Sequence, residues 1–140
     1  MTKVTAKEIK RHLQDKWKPL KYIWAWDPHF ELVPVSVLEE DVETSKVPEM
    51  EFIDYFNDCD DFARYFLAEV RMKKYERRHE LEELVPDAIG TVFLLGDGLF
   101  MPDHKANIAI AEGWVSYILD MTDRSMRLAD NSDDVRFVDM

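Results

Sequence analysis

The sequence predicts an α+β fold, with a central cysteine-bearing helix packed on an antiparallel β-sheet. Three observations predict it. Helical periodicity lies in the N-terminal half, ahead of Pro86. Everything after Asp87 reads as short β-branched and aromatic runs separated by turn signals. Between them, Asn57-Asp58-Cys59 has the chemistry of a helix start. It opens an apolar stripe at Phe62, Ala63, Phe66, Leu67 and Val70, the threes and fours of one buried face. Helices first and a strand meander after is an α+β layout.

Composition bounds what such a chain can be. Its 140 residues suit one domain and suffice to bury a core without disulfides or a structural metal. Within that domain, 1–48 is a helical and aromatic segment, 49–86 carries the Cys59 helix and 87–140 forms the sheet. A hydrophobic content of 46%, with four Trp, five Tyr and eight Phe, argues for a folded globule. One cysteine excludes an internal disulfide, and four scattered His make no zinc pattern with it. The net charge of −11 argues against binding a nucleic-acid backbone and leaves basic partners, or mimicry of a nucleic acid, open. No signal-peptide core opens the chain and no apolar run is long enough to span a bilayer, so a cytoplasmic, reducing setting without a membrane is expected.

In chain order, Thr5 opens a helical pattern with Ile9, Leu13 and Trp17 on one stripe, and Pro19 closes it. Residues 21–34, aromatic and broken by Pro28 and Pro34, read as extended segments around an Asp27-Pro28 turn. Trp24 and Trp26 there, with Trp114 later, are candidates for the wall of a substrate groove; packing of a core face is the alternative. Ser36-Val37-Leu38-Glu39 matches a capping box, so a short helix is expected from Ser36, ended by Val47-Pro48. Asn57 or Asp58 caps the Cys59 helix, which runs to about Arg78. Leu81 to Pro86 reads as a terminal turn or short helix. Strands are expected at 89–95, 104–111, 114–121, 125–129 and 134–138, with Gly96-Asp97-Gly98 as a turn.

Cys59 sits at a helix N-terminus, where unpaired N–H groups and the helix dipole favour thiolate. The alternative is a small core residue, as free cysteines often are. The hairpin downstream bears on the choice. With a loop at 111–113, residue 110 opposes 114 and 104 opposes 120, so His104 and Asp120 share a face with Ala106, Ile108, Ile110, Trp114, Ser116 and Ile118. A two-residue loop at 112–113 would pair 111 with 114 and put Asp120 on the other face; the first register buries the more apolar face and is preferred. A helix laid across that face with its N-terminus at the strand ends would put Cys59 beside His104, with Asp120 behind. The imidazole would take the thiol proton and the carboxylate would hold the ring. The Cys59 backbone N–H and the Asn57 side chain are candidate oxyanion donors, with Asn107 in support.

Cysteine on a helix, histidine on a strand and acid on the next strand is the order of papain-like and transglutaminase-like enzymes. Asp-Cys-Asp-Asp-Phe-Ala at 58–63, His-x-x-Asn-Ile-Ala at 104–109 and Thr-Asp at 122–123 after the acid narrow the likeness. So does Trp-Asp-Pro-x-Phe-x-Leu-x-Pro at 26–34. The chain, from about 22 to 123, resembles small phage and bacterial proteins related to the papain-like C-terminal protease domain of the Marasmius agglutinin. The resemblance implies a papain-like fold and a cysteine peptidase or transglutaminase-like enzyme. Cys59 is then the nucleophile, His104 the base and Asp120 the orienting acid, acting on a protein or peptide substrate. Three departures accompany it. The acid is Asp120 where relatives carry Glu followed by Pro-Gln, and Ile53 stands where papain has its oxyanion Gln. The agglutinin protease depends on calcium, whereas Asp58, Asp60 and Asp61 are acids that a helix start favours anyway, so no metal or cofactor is expected. The competing reading is a non-enzymatic acidic interaction protein, a host-factor inhibitor or DNA mimic, or a papain-like scaffold whose catalysis has lapsed.

Overall fold

The computed structural model describes residues 2–18, 20–96 and 103–140. The chain runs β1 (Thr2–Thr5), α1 (Ala6–Lys16), β2 (Tyr22–Trp24), β3 (His29–Leu32) and α2 (Val35–Thr44). It continues with α3 (Cys59–Glu76), β4 (Ile89–Leu94), β5 (His104–Ala111), β6 (Val115–Asp120), β7 (Ser125–Leu128) and β8 (Val135–Asp139). Single 3₁₀ turns occupy Val47–Glu49 and Arg78–Glu80. Pro19 and the expected turn at Asp97-Gly98 lie outside the described residues.

Thr5 starts α1 as expected. Its side chain accepts from the Glu8 N–H at 3.2 Å while Glu8 Oε2 accepts from the Thr5 N–H at 2.7 Å, a closed capping box. The Ser36 box does not form. The helix begins at Val35 behind Pro34, which serves as N-cap without a side-chain bond, so proline geometry wins there over the serine. Residues 81–86 carry no helix, and Pro86 steers Val85 ahead of it towards extended backbone.

Six strands form one sheet in the order β2-β8-β4-β5-β6-β7. It is mixed rather than antiparallel, because β2 joins β8 in parallel. Nor is the C-terminal half a plain meander: β8 returns to pair with β4, so β4 is an interior strand instead of an edge. β1 and β3 make a separate ribbon, docked near the Ala111 end of β5 through the Val33–Ala111 bridge.

The β5–β6 hairpin preserves the expected parity but not the register. Ala111 opposes Val115, so the loop is 112–114 and Asp120 lies across from Ala106 instead of His104. Gly113 and Trp114 take the positive φ values of this loop, 79° and 60°.

Alternation along β5 divides the core. Ala106, Ile108 and Ile110 pack with Ile9, Leu13 and Trp17 of α1 on one face. Ala109 and Ala111 pack with Phe62, Phe66 and Val70 of α3, and with Leu38 and Val42 of α2, on the other. Each face thereby removes a full apolar stripe from water, at about 25 cal/mol for each Å². Among the described residues no helix is long and apolar enough to cross a membrane.

Candidate functional site

Asp58 is the N-cap of α3, in a capping-box arrangement with Asp61, whose Oδ2 accepts from the Asp58 N–H at 3.3 Å. Cys59 is therefore the first helical residue, half-buried, with its backbone N–H among the orphan donors of the first turn. A side-chain hydrogen bond with Asp60 pushes the Asp58 carboxyl up. The same bond holds Asp60 down, helped by Arg64 and Lys105. Lys105, next to His104, thus stands near the start of α3. Asp58, Asp60 and Asp61 bring their carboxylate oxygens within 4.8 Å of one another.

At the same end of the sheet, His104 Nε2 and Asp120 Oδ2 are 2.6 Å apart. The hydrogen bond that Nε2 donates to Asp120 raises His104 above its ordinary value, against the effect of burial. Burial would push Asp120 up, but the hydrogen bonds from His104 and Thr122 bring it below the usual carboxylate range. An ionised Asp120 makes Nε2 the protonated nitrogen of a neutral ring, leaving the Nδ1 lone pair as the basic site. Thr122 is a partner that sequence reasoning passed over. Its N–H and Oγ1 donate to Asp120 Oδ1 at 3.0 and 2.6 Å, an Asx turn that Asp-x-Thr could have signalled. The pair opens onto a cleft of about 590 Å³ with Leu94, Ala106 and Ile118 on its apolar floor and Arg127 at its rim.

One expectation is corrected. The helix covering the His104–Asp120 face is α1, whereas α3 packs on the opposite face. Cys59 and the His–Asp pair thus share an end of β5 but belong to opposite faces. Any approach of thiolate to imidazole passes around the strand end, not across the sheet surface. Among the described residues no hydrogen bond joins Cys59 to His104.

Asn107 is fully buried, and its Nδ2 donates both to Ala63 O at 2.8 Å and to Gly90 O at 3.1 Å. Both amide protons are spent on fastening α3 to β4 and β5, so Asn107 has none for an oxyanion. Asn57 Nδ2 donates to Glu51 O at 2.6 Å and pins the segment ahead of α3. Trp114 is half-buried against His12, with ring centroids 5.2 Å apart, and His12 Nε2 meets Ser116 Oγ at 2.8 Å. Trp24 and Trp26 stack at 5.8 Å on the exposed β2 edge, where Trp26 Nε1 donates to Asp139 Oδ1 at 2.6 Å. The neighbouring Asp27 pairs with Arg71, twelve residues along α3 from Cys59, or about 18 Å at the helical rise. Neither Trp24, Trp26 nor Trp114 is thus placed beside the thiol.

No family model and no curated protein matches the chain. Solved structures do. One is a Polyporus squamosus lectin bound to a human-type influenza-binding epitope, with a TM-score of 0.76 and 13% identity over 99% of this chain and 49% of that one. Another is a PSL1a–E64 complex, with a TM-score of 0.78 and 14% identity over 99% of this chain and 51% of that one. The chain therefore spans about half the length of the structures it matches, and with that half it shares its fold.

Proposed function

We propose that the protein is a thiol-dependent hydrolase or acyl transferase acting on amide bonds, with Cys59 as nucleophile, His104 as base and Asp120 as the acid that orients the ring. The observation that carries this reading is the 2.6 Å His104–Asp120 contact at the sheet end where α3 begins. It fixes the tautomer and favours the imidazolium, which a thiolate–imidazolium pair requires. The half-buried thiol at a helix N-terminus supplies the second component. A fold neighbour has been solved as an E64 complex, which supports a search for a ligand here.

In the proposed reaction the Cys59 thiolate attacks the amide carbonyl, and the oxyanion meets the Cys59 N–H. The C–N bond then breaks as His104 Nδ1 returns its proton to the leaving amine. Water or a second amine resolves the thioester. Because the pair and the thiol occupy opposite faces of β5, the substrate carbonyl must lie beyond the end of that strand.

The decisive experiment is the rate of iodoacetamide alkylation of Cys59 against pH, in wild type and in His104→Ala. Reactivity that persists near pH ~5–6 and is lost in the variant is expected, since an ordinary thiol titrates near ~8.5. An ordinary profile indifferent to His104 would remove the catalytic reading and leave the acidic interaction protein in its place.

A further inference from the structure

The geometry points to the segment just ahead of α3 as a docking ledge for the substrate, a polypeptide presenting basic residues beside apolar ones. This rests on Cys59 being the reacting thiol. Five large apolar side chains are exposed there: Tyr55 and Phe56 stand in solvent, while Met50, Phe52 and Ile53 are about half covered, Phe52 against Phe62 with ring centroids 5.9 Å apart. Tyr55 is 100% exposed and Phe56 78%. Single exposed apolar residues are ordinary on a protein surface, whereas a contiguous group marks a contact surface.

The ledge is built. Ile53 N–H donates to Asn57 O at 2.8 Å, and Asn57 N–H returns to Ile53 O at 2.7 Å. Tyr55, at the tip, takes a φ of 65°, a left-handed conformation that bulky residues avoid. The turn thus holds its most exposed aromatic outward at a backbone cost.

Charge selects the occupant. Between 49 and 61 the chain carries six carboxylates and no Lys, Arg or His. Arg64 answers only Asp60 and Asp61, at 3.5 and 3.8 Å. Among the described residues, Glu49, Glu51 and Asp54 form no ion pair. That field repels an anionic bilayer or nucleic acid and attracts a basic chain, while the aromatics call for apolar side chains between the charges. Asn57 closes the turn and Cys59 opens α3 two residues later, so a chain lying on the ledge leads to the thiol.

The test uses the full chain with Cys59→Ser and three labelled peptides of equal length, Lys/Leu, Glu/Leu and Lys/Ser, read by fluorescence anisotropy. The Lys/Leu peptide should bind about tenfold more tightly than the others, and Tyr55→Ser with Phe56→Ser should remove that advantage at unchanged Tm. With Cys59 intact, the same peptide should slow alkylation of the thiol, and the double variant should abolish that protection. Equal binding of the Glu/Leu or Lys/Ser peptide overturns the proposal, as does affinity indifferent to Tyr55 and Phe56. Binding without protection overturns the ledge as a path to Cys59. Self-association, or sedimentation with phosphatidylcholine vesicles, lost in the double variant assigns the ledge to another occupant and overturns it too. Protection combined with an ordinary alkylation profile keeps the ledge while removing the catalytic reading, so the two fail separately.

Discussion

His104 and Asp120 set each other's ionisation. The folded His104 holds its proton above the ordinary value of 6.5, so its share of stability is present below that pH and lost as pH rises through the raised value. Asp120 is held below 3.8, so its share is present above that pH and lost as pH falls through the lowered value. Between these limits both groups are charged. Asp120→Asn removes the charged partner and leaves burial opposed only by the more distant Asp123, so the His104 titration, followed by NMR at the imidazole Cε1–H, should move clearly downward. A titration unmoved by the substitution would show that Asp120 does not govern the ring. At this scale the sequence was informative about one contact and silent about others. Period-two alternation put His104 and Asp120 on a common face whichever of the odd loop lengths formed. It could not show that Asn107 spends both its amide protons on Ala63 and Gly90, since those carbonyls come from distant elements.

Among elements, α3 is the one whose placement decides the site. Its apolar stripe determines that it is buried, but a stripe does not choose a sheet face. Asn107 does, by reaching from the odd face of β5 to the Ala63 carbonyl one turn after Cys59. Asn107→Ala leaves the Ala63 and Gly90 carbonyls without that partner in the core, and should cost about 2–4 kcal/mol in urea unfolding. Cys59 alkylation should rise with it if the helix start loosens. A loss below about 0.5 kcal/mol would mean α3 is held by apolar packing alone. The hairpin shows the same division. Glu112-Gly113 signalled the turn, yet the loop takes Trp114 as well and moves the register by two residues. That shift preserves parity and so costs nothing in burial, which is why the apolar pattern could not exclude it.

Across the whole molecule, Lys74 ties the N-terminal ribbon, α3 and the approach to β4 together. Its ammonium is 2.6 Å from both Glu31 and Asp87, with only 11% of its side chain exposed. Burial pushes Asp87 up, against the pull of Lys74. Lys74→Met would leave two buried carboxylates facing each other and should cost about 3–5 kcal/mol near neutral pH. The penalty should shrink as pH falls and the carboxylates take up protons, so Tm measured at pH ~5 and ~8 should differ more in the variant than in wild type. An equal loss at both pH values would show that the cluster acts through packing. The sequence by itself determined the α+β order, the extent of most elements and the helix start at Cys59, because caps, turns and periodicity act over a few residues; it favoured a shared face for His104 and Asp120 through the more apolar register, and the 112–114 loop of the structure is what puts them there. Only the tertiary structure decided that α1 covers that face, that α3 covers the other and that β8 returns beside β4. Those choices depend on contacts between residues far apart in the chain, where several pairings bury similar apolar area and single bonds such as those of Asn107 and Lys74 settle the arrangement.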